Sequence, residues 1–255
     1  MNMPEKVTAT CSDCGEKHGI EVWNRINVGE NPELKEKVKN GSLFVWECPH
    51  CGKANLVQGQ TLYHDPNERL MIWLMPDGIL PEAQEKALEA QFEKISQTLE
   101  GYTLRRVSDI GSLIEKVNIF DAGLDDCVIE MCKYITKMEM MEKGGSKDLL
   151  DTPFKFYHVD GPDNDIEFSY PKDGQMHGLR IGFNVYEDCA GIIRRNPSVK
   201  PSPGFSRLGR PLLQVDTAYS FFRNNPQRSG LPITRLLNSI KRVASHLRLL
   251  NVGFH

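Results

Sequence analysis

Four cysteines in two short clusters are the residues of this chain most clearly arranged for chemistry. The first cluster reads Cys11-Ser-Asp-Cys14 and the second reads Cys48-Pro-His-Cys51, and a glycine follows each of them. Two residues between the cysteines of a pair allow a tight turn to direct both sulfurs at one ion, about 2.3 Å away. Two such pairs therefore predict a tetrahedral four-cysteine site for Zn²⁺.

The residues beside the cysteines suit tight turns around an ion. Gly15 and Gly52 stand where such turns often require a positive φ, and Pro49 fixes φ in the second turn. Four cysteine ligands would leave no position open for water, so the zinc would support folding rather than hydrolysis. The same motifs could instead provide redox-active or simply buried thiols. If they bind a metal, iron is less favoured than zinc.

Composition and the other cysteines favour a cytoplasmic protein of one or two domains. No apolar run of the 255-residue chain is long enough to span a membrane, and the N-terminus lacks the apolar segment of a secretory signal. An odd number of cysteines, seven in all, argues for a reducing compartment. We expect Cys127, Cys132 and Cys189 to be packing residues. No membrane partner is expected.

Charge is strongly segregated along the chain, although the formal net charge is only −3. Residues 191–255 contain 11 Lys and Arg residues and a single acidic residue, Asp216, so the preceding part of the chain is acidic. The basic end could pack on the acidic part, within the chain or between subunits, or it could bind nucleic acid, with Phe205 stacking on a base. The candidate anion-binding residues are Arg194, Arg195, Lys200, Arg207 and Arg210.

The segments around the cysteines are predicted to form a zinc ribbon that carries a helical insertion. Short alternating apolar runs predict strands. The predicted strands are 6–10, 19–27, 42–47, 54–61 and 69–75. Between the cysteine pairs, residues 31–41 predict a short helix, because Asn31 can cap it, Pro32 suits its first turn and Gly41 can end it.

The rest of the chain divides into a helical section and a region rich in strands. Apolar residues at helical spacing predict helices, and alternation after residue 151 predicts an antiparallel meander of at least three strands. The predicted helices are 81–100, 108–120 and 124–142, and the predicted strands are 154–158, 166–170 and 179–185. Residues 194–211 are predicted to be a loop, before a final amphipathic helix that begins near Thr234 and includes Leu250. The expected fold class is α+β, with domains at 1–78, 79–143 and 147–255.

The chain resembles the CpXC proteins, a prokaryotic group named for paired C-P-x-C motifs. The matching segments are residues 11–15, 26–27, 31–35, 41, 48–52, 63–66, 104–107, 113–117 and 119–126. The resemblance covers about residues 5–140 and implies a zinc-ribbon-like module, but it supplies no catalytic residues. Ser12 stands where the family favours proline, which loosens the first turn without removing a ligand.

Two further groups of ionisable residues have both a functional and a structural interpretation. His64, followed by Asp65, could be an oriented catalytic imidazole, although a turn at Asp65-Pro66 is the favoured interpretation. An acidic cluster could bind a second metal or act in acid–base chemistry, but capping of a helix by Asp121 or Asp125 is favoured. The members of that cluster are Asp121, Asp125, Asp126 and Glu130.

Three functions are compatible with these patterns. The favoured one is a zinc-stabilised interaction or regulatory protein without chemistry of its own, which binds another protein or itself. The second is a nucleic-acid-binding protein that uses the basic segment 191–255. The third is an enzyme with its site in the C-terminal half, which the sequence favours least.

Overall fold

A computed structural model describes residues 3–57, 59–76 and 98–196, together with positions 81, 83–84, 87, 90–91 and 94 and segments 206–207 and 250–252. These residues form a mixed α+β structure with several sheets. The chain divides into two compact units. The first unit contains residues 1–117 and 202–209, and the second contains residues 118–201 and 210–255. Among the described helices, none is both long enough and apolar enough to cross a bilayer.

Two separate antiparallel hairpins carry the cysteines in the first unit. The first hairpin pairs β1 (Glu5–Thr10) with β2 (Lys17–Val22), and the second pairs β4 (Val45–Glu47) with β5 (Ala54–Leu56). The prediction of one strand over 19–27 is wrong, because the chain leaves the first hairpin after Val22. It continues as β3 (Arg25–Asn27), which belongs to a different sheet.

A helical turn separates the inserted helix from the second hairpin. Helix α1 (Glu33–Lys39) confirms the predicted insertion and buries Leu34 and Val38. Gly41 ends it with a φ of +77°, a conformation that glycine adopts without strain. Residues Ser42–Phe44 then form a 3₁₀ turn, so the predicted strand 42–47 begins only at Val45. The turn starts where the Ser42 N–H donates to the Asn40 side chain at 2.9 Å.

A mixed five-stranded sheet forms the main support of the first unit. Besides β3, its strands are β6 (Thr61–Asp65), β7 (Leu70–Leu74), β8 (Thr103–Val107) and β12 (Ser206–Arg207). Their order is β12-β8-β7-β6-β3, and only the β6–β7 pair is antiparallel. The helical section predicted over residues 79–143 therefore also contains a strand, β8, that was not predicted. Likewise, the predicted strand 54–61 is divided between β5 and β6.

Helix α2 (Ile110–Asp121) follows β8, and the boundary between the two units falls within it. Asp109 stabilises its first turn, because its carboxylate accepts from the Ser112 N–H at 2.7 Å and from the Ser112 hydroxyl at 2.6 Å. The described positions between residues 83 and 98 are also helical, whereas the rest of the predicted helix 81–100 lies outside the described residues.

The second unit combines a four-stranded antiparallel sheet with two helices. The strands are β9 (Lys155–Asp160), β10 (Asp165–Lys172), β11 (Gln175–Ile181) and β13 (Leu250–Val252). The sheet order is β13-β11-β10-β9, and β9, β10 and β11 confirm the predicted meander. Their inner residues include Ile166, Phe168, Leu179 and Ile181, all of which are buried.

The two helices of this unit are α3 (Asp126–Glu142) and α4 (Phe183–Arg195). Helix α3 confirms the predicted helix over 124–142. Helix α4 corrects two predictions: the strand 179–185 ends at Ile181, and the loop over 194–211 is helical as far as Arg195. Gly182 begins the helix with extended backbone angles.

The predicted C-terminal helix from Thr234 lies mostly outside the described residues. Leu250, which was predicted on its apolar face, instead begins strand β13. The alternation of Leu250 and Val252 across Asn251 is compatible with a strand as well as a helix end, and pairing with β11 decides between them.

Candidate metal centre

Each cysteine pair lies in a tight turn at the end of its hairpin. The Gly15 N–H donates to the Cys11 carbonyl at 3.1 Å, and the Gly52 N–H donates to the Cys48 carbonyl at 2.8 Å. Both glycines have the predicted positive φ, +75° for Gly15 and +72° for Gly52. An L-residue with a side chain would be strained there, so the glycines allow each turn to close.

The strands of each hairpin anchor its turn in the same way. The Cys11 N–H donates to the Glu16 carbonyl and the Cys48 N–H donates to the Lys53 carbonyl, both at 2.9 Å. Both acceptors stand five positions after the first cysteine of their motif. The two turns therefore have the same main-chain hydrogen bonds, although the sequence shows no obvious internal repeat beyond the CxxCG letters.

The two turns bring all four sulfurs together within 4.8 Å of one another. Cys11 Sγ lies 3.6 Å from Cys51 Sγ, and Cys14 Sγ lies 3.7 Å from Cys48 Sγ. A tetrahedral site with metal–sulfur bonds of about 2.3 Å would separate its sulfurs by about 3.8 Å. The cysteines are free thiols rather than disulfides. The four predicted residues thus form a candidate metal site whose geometry fits tetrahedral thiolate coordination.

The four thiols differ in burial and in electrostatic environment. Cys11 and Cys48 are buried, Cys14 is half-buried and Cys51 is exposed. The backbone N–H groups of Cys14 and Asp13 lower the pKa of the Cys11 thiol to about 6, which favours a thiolate at neutral pH. The Glu16 N–H acts in the same sense on Cys14, but burial and the neighbouring thiols raise the pKa of Cys14 to about 12. All four groups could be thiolates at the same time only if a bound cation balanced their charge.

Two polar side chains beside the sulfurs were not predicted from the sequence. Asn55 is buried, and its Nδ2 lies 3.6 Å from Cys11 Sγ. His18 Nε2 lies 3.5 Å from Cys48 Sγ. Each residue stands four positions after the second cysteine of its own motif, and this shared offset is the sequence pattern that could have revealed them. His50, inside the second motif, is exposed.

The five predicted anion-binding residues are not all within the described residues. Arg194 and Arg195 lie in the last turn of α4 in the second unit, and Arg207 lies in β12 of the first unit. Lys200 and Arg210 lie outside the described residues. A basic surface formed by these residues stays a prediction.

The other ionisable groups that the sequence analysis considered have structural partners. Asp65 forms the predicted turn, because its carboxylate accepts from the N–H groups of Asn67 and Glu68 and pairs with Lys35 at 3.2 Å. His64 instead contacts the Tyr102 hydroxyl at 3.2 Å, and burial, with a contribution from Arg25, lowers the pKa of His64. His64 and Asp65 therefore do not form an oriented pair.

Capping by Asp125 is likewise confirmed. Its carboxylate accepts from the Cys127 N–H at 2.8 Å at the start of α3. Within the same helix, Glu130 pairs with Lys133 at 3.0 Å. These contacts give two members of the acidic cluster a structural role.

A second unpredicted group of ionisable side chains lies on the sheet of the second unit. His158, Asp160 and Glu167 are close enough to share an ion. Arg180, however, pairs with Asp160 at 2.9 Å and with Glu167 at 3.2 Å. The guanidinium thus already balances both carboxylates, and the group is explained as an ion-pair network across three strands.

The fold and the site define a class of protein: a mixed α+β chain in which two CxxCG hairpins form a candidate four-cysteine metal centre. The family model of the CpXC proteins matches residues 9–133. This match confirms, over residues 9–133, the resemblance to the CpXC proteins seen in the motifs. The span includes both cysteine hairpins and ends within α3. No curated protein and no solved structure matches the chain.

Proposed function

We propose that the chain is a zinc-stabilised interaction or regulatory protein, and that one zinc ion held by Cys11, Cys14, Cys48 and Cys51 is structural. The observation that carries this proposal is the convergence of four free thiols from two matching turns. All four ligands of a tetrahedral ion would come from the protein, so no position would remain for a reacting water. The ion would stabilise the fold and would not act on a substrate.

The small size of the hairpins supports a structural role for the ion. Five of the six residues of β1 are exposed, and β4 and β5 have three residues each. A two-stranded hairpin without a covering core is marginally stable at best in water. A metal that joins the two turns would add the missing stability and would complete a zinc ribbon. Zinc is the favoured metal because it has a strong preference for tetrahedral thiolate sites, with iron as the alternative.

The other cysteines and the family support the proposed setting. Cys127, Cys132 and Cys189 are buried and form no disulfide, as expected for a reducing cytoplasm. We propose a cytoplasmic protein of prokaryotic origin, the latter from the CpXC resemblance alone. Fractionation of the source cells tests the cytoplasmic assignment.

An apolar surface on the second hairpin supports a role in protein interaction. Val45 and Leu56 are cross-strand partners and remain 45% and 64% exposed. Val7, on the first hairpin, is also exposed. Because neighbouring apolar side chains gain free energy when a partner covers them, we propose that Val45 and Leu56 contact another protein or a second copy of this chain.

A pull-down with metal analysis on the same sample tests the proposal. The full-length chain, immobilised from a preparation of known zinc content, is exposed to native cytosol and, separately, to free chain. A V45S/L56S variant should retain zinc and lose the captured partner or the self-association. The matched control is Y157S/M176S, which removes two apolar residues of the second unit that are 50% and 53% exposed. The control should capture as the wild type does.

Two results would contradict the proposal. Absence of zinc in the purified wild type would remove the structural-zinc claim. Equal capture by V45S/L56S and by the control would remove the claim that the second hairpin binds the partner. The nucleic-acid alternative predicts that affinity for a mixed DNA or RNA pool falls steeply with salt. The enzyme alternative predicts an activity that disappears when residues 145–255 are removed.

A further inference from the structure

Each hairpin places a polar side chain beside the buried cysteine of the other hairpin. Asn55 of β5, in the second hairpin, directs Nδ2 toward Cys11 Sγ in the first turn at 3.6 Å. His18 of β2, in the first hairpin, places Nε2 at 3.5 Å from Cys48 Sγ in the second turn. The contacts therefore cross between the hairpins in both directions.

The two side chains occupy equivalent positions. In the first hairpin His18 pairs with Ala9, and in the second Asn55 pairs with Trp46. Ala9 and Trp46 each stand two residues before the first cysteine of their motif, just as His18 and Asn55 each stand four residues after the second. The same strand register therefore places both residues where these contacts can form.

Each of these contacts allows a hydrogen bond to be donated to a cysteine sulfur. A metal-bound thiolate carries no proton and can only accept, so the amide of Asn55 and the Nε2–H tautomer of His18 must be the donors. A hydrogen bond to a ligand orients it and stabilises its charge, and outer partners of this kind govern metal affinity.

Asn55 is held more firmly than His18. Its Oδ1 accepts from both the N–H and the hydroxyl of Ser12, each at 2.8 Å, and its Nδ2 also donates to the Lys53 carbonyl at 2.8 Å. Asn55 thus joins the first turn to the second hairpin. The ring of His18 has a tilted contact with Trp46, with ring centroids 6.2 Å apart.

We propose that Asn55 and His18 are positioning residues of the metal centre, each donating to the buried cysteine of the opposite hairpin. The inference rests on the proposed function, because it requires that the four cysteines bind a metal. Loss of an outer partner typically lowers metal affinity by about 10- to 100-fold. The Asn55→Ala change should fall in that range, and His18→Ala should have a smaller effect.

Metal titration of full-length variants tests the proposal. Zn²⁺ affinity is measured by competition with a chromophoric chelator, and Co²⁺ loading is followed by the thiolate-to-cobalt charge-transfer bands. The variants are N55A, N55D, H18A and H18N. Asn55→Asp keeps the acceptor for Ser12 but removes the donor to sulfur, and His18→Asn places the residue of the equivalent position there. Ala54→Ser, at an exposed neighbour of Asn55 in β5, is the matched control.

The proposal predicts lower Zn²⁺ affinity and shifted Co²⁺ charge-transfer bands for N55A and N55D, with A54S unchanged. H18N should bind Zn²⁺ more tightly than H18A, because it restores a donor. If N55A does not fold, N55D decides the outcome. Affinities and band positions of N55D equal to those of A54S would overturn the inference while leaving the structural-zinc proposal intact. A wild-type chain that binds neither Zn²⁺ nor Co²⁺ would overturn both.

Discussion

The two cysteine hairpins reach the same turn geometry with different residues after the first cysteine. In the second turn Pro49 restricts φ through its ring, and it has no N–H to donate. In the first turn Ser12 occupies that position, and both its N–H and its hydroxyl donate to Asn55. One turn is therefore stabilised by a covalent restriction, and the other by hydrogen bonds to the opposite hairpin.

This difference shows that the CpXC pattern can be relaxed without losing the turn. The φ values of Gly15 and Gly52 differ by only a few degrees, and the main-chain hydrogen bonds of the two turns are the same. The two turns differ in how far they depend on neighbouring residues. The first turn needs Asn55 as a hydrogen-bond partner for Ser12, whereas the second turn does not need an equivalent partner for Pro49. The comparison predicts that matched substitutions in the two hairpins will have equal effects at some positions and unequal effects at others.

The largest effects should come from the buried cysteines. Cys11→Ser and Cys48→Ser each remove a thiolate from the centre, so each should weaken Zn²⁺ binding by more than about 100-fold, beyond the loss typical of an outer partner. Competition with a chromophoric chelator measures both affinities. Equal losses support the equivalence of the hairpins, whereas a wild-type affinity in either variant would show that its hairpin does not contribute a ligand.

Exchanging the residues after the first cysteines should have unequal effects. Ser12→Pro restores the family motif but removes two donors to Asn55 and leaves its buried oxygen without them, at a cost of about 1–3 kcal/mol. Pro49→Ser loses only the restriction of the unfolded chain, about 0.4–1 kcal/mol. Denaturant unfolding of the zinc-loaded proteins measures both free energies. Greater stability of S12P than of the wild type would refute the proposed dependence on Asn55.

The turn glycines should behave alike. A Cβ at Gly15 would meet no atom within 4 Å, and at Gly52 only a carboxylate oxygen of Glu47 at 3.8 Å, so neither substitution causes a clash. The cost of Gly15→Ala and Gly52→Ala is therefore conformational, about 1–2 kcal/mol each. The same unfolding measurement gives both values. A cost near zero for one glycine alone would show that its turn does not require a positive φ.

Thiol reactivity should differ within each hairpin rather than between hairpins. With zinc bound, when the hairpins keep their structure and all four sulfurs are ligands, exposed Cys51 should react with an alkylating reagent before buried Cys11 and Cys48. Buried Cys132 and Cys189, in the second unit, should react only after unfolding. Peptide mapping at successive times gives the order. Early modification of Cys48 would contradict its burial in the centre.

Local motifs made the turns of the candidate site predictable. The CxxCG spacing identifies the four thiols and the two glycines, because the constraint lies within five consecutive residues. The contacts of His18 and Asn55 cross between the hairpins, and the register of two separate strand pairs determines them. Such long-range pairing leaves only a weak trace in one sequence, namely the shared offset from the cysteines.

The fold was predicted correctly where one hydrophobic period runs through a whole segment. The prediction failed where that period changes without a strong turn signal at the boundary. Helix α4 shows this: the alternation of Leu179 and Ile181 continues formally to Phe183 and Val185 across Gly182, which suggests a longer strand. The helical spacing of Val185, Cys189 and Ile192, all buried in α4, would have given the alternative. Strand β8 was missed because it is a five-residue strand between helical segments, and parallel pairing with β7 stabilises it.

The central claim, that the two hairpins share one structural zinc ion, is tested most directly by metal content and thermal stability on the same preparation. Elemental analysis of the full-length chain, purified without added metal, should give one zinc per chain. Removal of that zinc by a chelator should lower the thermal midpoint, and returning Zn²⁺ should restore it. A chain without zinc, or a thermal midpoint that does not change when zinc is removed, would contradict the account.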